Sequence, residues 1–266
     1  MSQVLTAIMA ASRRSALERA RQFRTTVDRQ AASATPRPVA FARALEQPGV
    51  RVIAECKRRS PSRGILRRAY DPAMIAAGYA RAGAAAISVL TEPSFFDGHL
   101  DHLRAVRAAV DLPILRKDFI CTDFQIAEAR AAGADAVLLI VAGLEPDELA
   151  GLVANAAAYE LAALVEVHSA AEAQVAVDAG ARVIGVNSRD LRTLAVSTAI
   201  FEELAPALPG QIPWVAESGI TTPADVEHLR GLGYRACLIG ERFMTTPDPG
   251  EALAAFLAGV PQGSAR

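Results

Sequence analysis

From residue 51 onward the chain alternates between short, nearly continuous apolar runs and longer stretches whose apolar residues recur at helical spacing. The runs are Arg51–Lys57, Ala85–Thr91, Pro113–Phe119, Ala136–Ala142, Ala162–His168, Val183–Ser188, Pro213–Ser218 and Ala236–Glu241. A half-exposed strand would alternate apolar with polar residues, so runs this continuous predict strands covered on both faces, as in a parallel sheet. The intervening stretches carry helix punctuation. Asp71-Pro72, Thr122-Asp123, Glu145-Pro146, Ser169 and Thr222-Pro223 stand where N-caps and first turns belong. Gly83, Gly133, Gly180 and Gly233 stand where a left-handed residue closes a helix. Those glycines also mark a repeat, in which a helix end, a glycine turn and an apolar strand recur about every 50 residues, the length of two βα units.

Strict strand–helix alternation with right-handed crossovers permits a closed barrel or an open doubly wound sheet. Eight strands in about 200 residues, without a dinucleotide-binding glycine fingerprint, favour the barrel. The expected fold is therefore α/β, a (β/α)8 TIM barrel with an N-terminal helical extension. It is read as one domain over residues 1–266, with 1–50 the extension and 51–260 the barrel. Residues 1–38 are rich in Arg, Ser and Ala, as transit peptides are. Val4, Leu5, Ile8, Met9 and Leu17 nevertheless fall at helical spacing, and Glu18 and Asp28 interrupt the positive charge, so an extra helix is expected here.

Composition narrows the function classes. The chain is 52% hydrophobic, enough for a sizeable core, and its formal net charge of −1 gives no reason to expect nucleic acid or an anionic membrane surface as partner. No apolar run reaches the roughly 18 residues of a membrane span. Cys56, Cys121 and Cys237 are odd in number and far apart, which fits neither a disulfide framework nor a zinc site and points to a reducing, cytoplasmic location.

In such a barrel the active site lies at the C-terminal ends of the strands. Those ends read Glu55-Cys56-Lys57, Arg116-Lys117-Asp118, Glu166-Val167-His168, Asn187-Ser188-Arg189, Glu217-Ser218-Gly219 and Gly240-Glu241. One charge at a strand end is as readily a solvent-facing group, but charges at one end of six strands make a cleft. Period-two geometry puts Glu55 with Lys57, Glu166 with His168, and Asn187 with Arg189 on shared faces. It turns Cys56 the other way, as a structural residue. The loops after the last two strands hold Ser218-Gly219 before a helix start, and Gly240. Each glycine alone is explained by a turn, but together they sit where barrels of this kind bind phosphate, with backbone N–H groups and a helix N-terminus turned toward the anion.

The stretch from Ile53 to Gly64, with its Glu-x-Lys-x-x-Ser-Pro-Ser core, resembles the first-strand signature of indole-3-glycerol-phosphate synthases. Leu115-Arg116-Lys117-Asp118-Phe119, Leu164-Val165-Glu166-Val167-His168, Val186-Asn187-Ser188-Arg189-Asp190-Leu191, Ala216-Glu217-Ser218-Gly219-Ile220 and Leu238-Ile239-Gly240-Glu241 extend the resemblance along nearly the whole chain. It implies closure of the indole ring from 1-(2-carboxyphenylamino)-1-deoxyribulose 5-phosphate, with loss of carbon dioxide and water. By the same resemblance Lys117 would be the general acid and Glu166 the general base. Lys57, oriented by Glu55, would contact the anthranilate carboxylate and take part in proton transfer, and Asn187 and Glu217, with Arg189 close by, would hold the ribulose hydroxyls and the charge network. Ser60 would lie in the loop over the site, and Phe96, Phe119, Leu138, Leu191 and Leu238 would enclose the aromatic ring. Ser218, Gly219, Gly240 and the backbone of Glu241 would take the phosphate.

No metal or organic cofactor is implied. The expected partner is a small anionic sugar phosphate, and the expected assembly a monomer or dimer. Two departures stand out: Ser188 replaces a frequent second Asn, and Glu241-Arg242 is bulkier than the residues usual after the last glycine. The competing expectations are another ribulose-phosphate-binding isomerase, which would want a Cys or Asp on the first strand, and a non-catalytic barrel subunit, which would have lost one of Lys57, Lys117 or Glu166.

Overall fold

The computed structural model describes residues 3–33, 39–190 and 192–261. Eight parallel strands close into a barrel: β1 (Arg51–Cys56), β2 (Ala86–Leu90), β3 (Ile114–Lys117), β4 (Ala136–Ile140), β5 (Ala162–Val167), β6 (Val183–Asn187), β7 (Trp214–Glu217) and β8 (Ala236–Ile239). Closure comes from β1, which pairs with β2 on one side and β8 on the other. The open-sheet alternative is thereby excluded. Every residue of β2, β4, β6, β7 and β8 is buried, as the continuous apolar runs require. Each strand stops one or two residues before the end of its apolar run. β3 ends at Lys117 because the next side chain, Asp118, accepts the Phe119 N–H, and β8 ends at Ile239 because Gly240 opens a short helix, Glu241–Met244.

The helix boundaries follow the local signals. Asp71, Thr122, Ser169 and Thr222 each accept a hydrogen bond from an N–H of the first turn, while Glu145 and Glu148 form a reciprocal capping box. The four repeat glycines all have left-handed φ, from 83° to 98°. At Gly133 a Cβ would also stand 2.6 Å from the Arg107 side chain, so no other residue fits without displacing it.

The N-terminal segment forms α1 (Gln3–Ser33) and α2 (Val39–Glu46). On α1, Leu5, Ile8 and Met9 are buried, but Leu17 is half exposed. Its neighbour Ala16 takes the contact instead, packing with Val27 against Phe124 and Ala127 of the helix Asp123–Ala132. A small side chain there lets the two helices approach closely. Arg19 to Glu128 and Arg24 to Asp123 fasten the same pair. At its other end α1 reaches the rim of the barrel, where the Ser12 hydroxyl donates to the Phe119 carbonyl at 2.7 Å. Phe41 and Leu45 of α2 are fully buried in the barrel core.

Candidate active site

A cavity of about 700 Å³ opens at the C-terminal ends of the strands. The register explains which side chains reach it. Asn187 lies opposite Glu217, Glu217 opposite Leu238, and Glu166 opposite Gly185, so the inward positions of neighbouring strands form one layer. Gly185 makes room in that layer, since a Cβ there would stand 2.2 Å from a Glu217 carboxylate oxygen.

Lys117 is the hub. Its Nζ stands 3.0 Å from Glu166 Oε2 and 3.0 Å from Glu217 Oε2. Beside it, Lys57 Nζ pairs with Glu55 Oε1 at 2.5 Å. Asn187 accepts the Arg189 N–H on its own oxygen, which leaves its amide N–H₂ to donate to Glu166. Two ammonium groups thus face three carboxylates, all nearly buried.

Burial opposes the charge on Lys117, but Glu166, Glu217 and Glu55 outweigh it and hold the ammonium well above the ordinary lysine range. Burial likewise favours a neutral Glu166, yet Lys117, His168 and the Asn187 hydrogen bond hold it below the usual carboxylate range. Glu217 goes the other way. Burial, with the nearby charges of Glu166 and Glu55, pushes it up to about 7 despite Lys117. Three neighbouring groups therefore hold protons differently at neutral pH, as acid–base chemistry requires.

This arrangement predicts a pH effect on stability. Glu217 has a raised folded-state pKa, so its contribution is fully present below its unfolded value of about 4.3. That contribution is lost as pH rises through about 7. Glu217→Gln should therefore gain stability relative to the wild type between pH 4.5 and 7, by up to ~1.4 kcal/mol for each pH unit. Urea unfolding of both proteins across that range measures it. A difference that stays constant with pH would contradict the assignment.

The rim after β7 and β8 is built for close backbone approach. Ser218 and Gly219 both adopt left-handed conformations, with φ of 67° and 75°. A Cβ on Gly219 would meet Thr198 at 2.8 Å and Val196 at 2.9 Å, and one on Gly240 would stand 2.5 Å from Glu55 Oε1. Glu241 does not offer its carboxylate to the cavity freely, because Arg63 holds it at 2.8 Å. Phe96 and Phe119 form an apolar wall, their ring centroids 6.3 Å apart, continued by Leu90, Leu138, Ile140 and Leu238.

Glu55, Lys57, Phe96, Lys117, Phe119, Leu138, Glu166, Asn187, Arg189, Glu217, Ser218, Gly219, Leu238, Gly240 and Glu241 all line this one cavity. Ser60 does not. It is buried in a small hairpin formed by Arg59–Ser60 and Gly64–Ile65, where its hydroxyl accepts the Arg63 N–H. Leu191 lies outside the described residues. Cys56 faces away from the cavity and is fully buried, its thiol against the Pro72 carbonyl. Arg63, Thr221, Arg242 and Thr245 also line the cavity and were missed in sequence, because loops and the short Glu241–Met244 helix rather than strand periodicity bring them there.

Residues 5–256 match the family model described as indole-3-glycerol phosphate synthase. The chain is 53% identical over 224 residues to the indole-3-glycerol phosphate synthase of Rhodococcus opacus (strain B4), covering 84% of this chain and 83% of that one. It is 51% identical over 230 residues to the protein of the same name from Mycobacterium sp. (strain KMS), covering 86% and 84%. Among solved structures, 3-hexulose-6-phosphate synthase superposes with a TM-score of 0.61 at 18% identity, over 80% of this chain and 100% of that one. Thiamine phosphate pyrophosphorylase from Pyrococcus furiosus superposes with a TM-score of 0.60 at 19% identity, over 79% and 95%. At that identity the two structures speak to the barrel alone.

Proposed function

The chain belongs to the indole-3-glycerol phosphate synthase family, and on that premise we propose that its cavity closes the indole ring of 1-(2-carboxyphenylamino)-1-deoxyribulose 5-phosphate. The products are indole-3-glycerol phosphate, carbon dioxide and water. The observation that carries this reading is Lys117 held between two carboxylates in a cavity with one apolar wall. An apolar wall folds the flexible substrate so that the ring carbon meets the ribulose carbonyl, which is catalysis by proximity. Lys117 protonates the carbonyl oxygen as the carbon–carbon bond forms, stabilising the developing alkoxide. Loss of carbon dioxide restores the aromatic ring; the hydroxyl then leaves as water with a proton from Lys57, while Glu166 takes the proton from the neighbouring carbon of the new ring.

Lys57 is assigned to the anthranilate carboxylate, with Glu55 orienting it at 2.5 Å. Asn187, Glu217 and Arg189 are assigned to the ribulose hydroxyls and the charge network. The phosphate is assigned to the backbone of Ser218, Gly219, Gly240 and Glu241, which the left-handed turn and the start of the Glu241–Met244 helix support. Arg63 and Arg242 add positive charge at that rim. Phe96, Phe119, Leu138 and Leu238 are assigned to the aromatic ring. One chain supplies all of these groups, in keeping with a monomer. Three buried free cysteines, and no described helix long and apolar enough to cross a membrane, are in keeping with a cytoplasmic enzyme.

The test is turnover of the phosphorylated substrate, followed by the appearance of indole fluorescence, beside the same compound without its phosphate. The phosphorylated compound should react, and the dephosphorylated one should lose at least ~10²-fold in kcat/KM, since remote binding energy supports the chemical step. Equal rates would overturn the phosphate assignment, and no product from either would overturn the reaction.

A further inference from the structure

We propose that His168 is a positioning residue for Glu166, bridging it to Glu172 on the helix that follows β5. The inference rests on the reading of Glu166 as the base. β5 ends at Val167, and the alternation of its side chains brings the His168 ring back beside Glu166. Its Nε2 stands 3.5 Å from Glu166 Oε1, and its Nδ1 stands 3.5 Å from Glu172 Oε2. Neither ring nitrogen has a hydrogen-bond partner among the described residues, and the side chain is only 15% exposed. Two buried nitrogens that each face a carboxylate oxygen are matched best by the doubly protonated ring, in which both are donors.

Glu172 is itself fixed. Its Oε2 accepts the His168 backbone N–H at 2.7 Å, and it sits in the first turn of the helix Ala170–Asp178, which Ser169 caps. A line of alternating charge thus runs from that helix start through His168 and Glu166 to Lys117. Lys117 binds Glu166 Oε2 while His168 faces Oε1, so the two cations hold opposite edges of one carboxyl group. That fixes both its rotation and its charge. His168 does not line the cavity, so it acts through Glu166 and not on substrate. The charged groups that face it are Glu166 on its own strand, Glu172 on the following helix, and Glu217 from β7. Burial disfavours the imidazolium, but Glu172 and Glu166 together hold it above the ordinary histidine value.

The test is the pH profile of kcat for wild type, His168→Gln and Glu172→Gln, with thermal unfolding of each as a check on folding. Removing a cation beside Glu166 makes that carboxylate easier to protonate, so the acid limb should move to higher pH. The expected shift is about 1 pH unit in His168→Gln and less, in the same direction, in Glu172→Gln. KM should stay within about twofold, because His168 makes no substrate contact. If His168→Gln does not fold, Glu172→Gln carries the test. An acid limb that stays in place, or a loss of kcat equal at every pH, would overturn the proposal. A wild type without turnover would instead overturn the reading of Glu166 from which it starts.

Discussion

Replacing Lys117 with alanine is expected to lower kcat by ~10² to 10⁴-fold while leaving KM within a few-fold of the wild type. Both parts follow from where the ammonium sits. It lies between Glu166 and Glu217, 3.0 Å from each, and the alkoxide it would protonate exists only as the ring closes. Its interaction with substrate is therefore worth most in the transition state, and its loss appears in kcat. The loss should not unfold the protein. Without Lys117, Glu166 and Glu217 repel each other, but Glu217 is already pushed up to about 7 and relieves the repulsion by taking a proton. Steady-state kinetics with a thermal melt distinguishes the outcomes. A variant that keeps wild-type kcat would remove Lys117 from the chemistry, whereas one that merely fails to fold would be evident from the melt.

The largest stability effect is expected one residue earlier. Arg116 points away from the cavity, into the layer between β3 and the helix Asp123–Ala132, and is 2% exposed. Its guanidinium binds Asp118 at 2.9 Å, Glu128 at 3.0 Å and the Gln125 carbonyl at 2.8 Å. Arg116→Ala leaves buried carboxylates short of a partner, which costs ~3 to 5 kcal/mol when one member of such a group is removed. Glu128 keeps Arg19 from α1, so Asp118 bears most of the loss. Burial raises the Glu128 pKa, and Arg116 is the leading group that lowers it. Without Arg116 the Glu128 carboxyl protonates more readily in the folded state. The deficit should therefore shrink as the pH is lowered from 7 toward 5. Urea unfolding at the two values measures this, and a deficit under ~1 kcal/mol at pH 7 would contradict the account.

The contrast between Arg116 and Lys117 marks how far the sequence could be read. Strand order, helix caps and glycine turns were legible because each is a local signal: a run, a capping side chain, a left-handed residue. The inward set Glu55, Lys57, Lys117, Glu166, Asn187 and Glu217 was legible because parallel strands in register carry their inward positions to one layer. Arg116 and Asp118 belonged to the same charged strand end, yet they pair with each other, and Arg116 also reaches Glu128, a partner that only the packing of the Asp123–Ala132 helix reveals. Arg63 reaches the cavity through a hairpin whose register no spacing rule gives. The same hairpin turns Ser60 inward on its own loop instead of toward the cavity. Leu17 is exposed because contact distance between α1 and its neighbour, not hydrophobicity, decides that Ala16 faces in.

The measurement that tests the central claim most directly follows a substrate labelled with ¹³C in its ring carboxylate through a single turnover. The account predicts one labelled carbon dioxide released for each indole ring formed by the wild type, and neither product from Lys117→Ala on the same time scale. Indole formed with the label retained, or labelled carbon dioxide released without an indole ring, would contradict it.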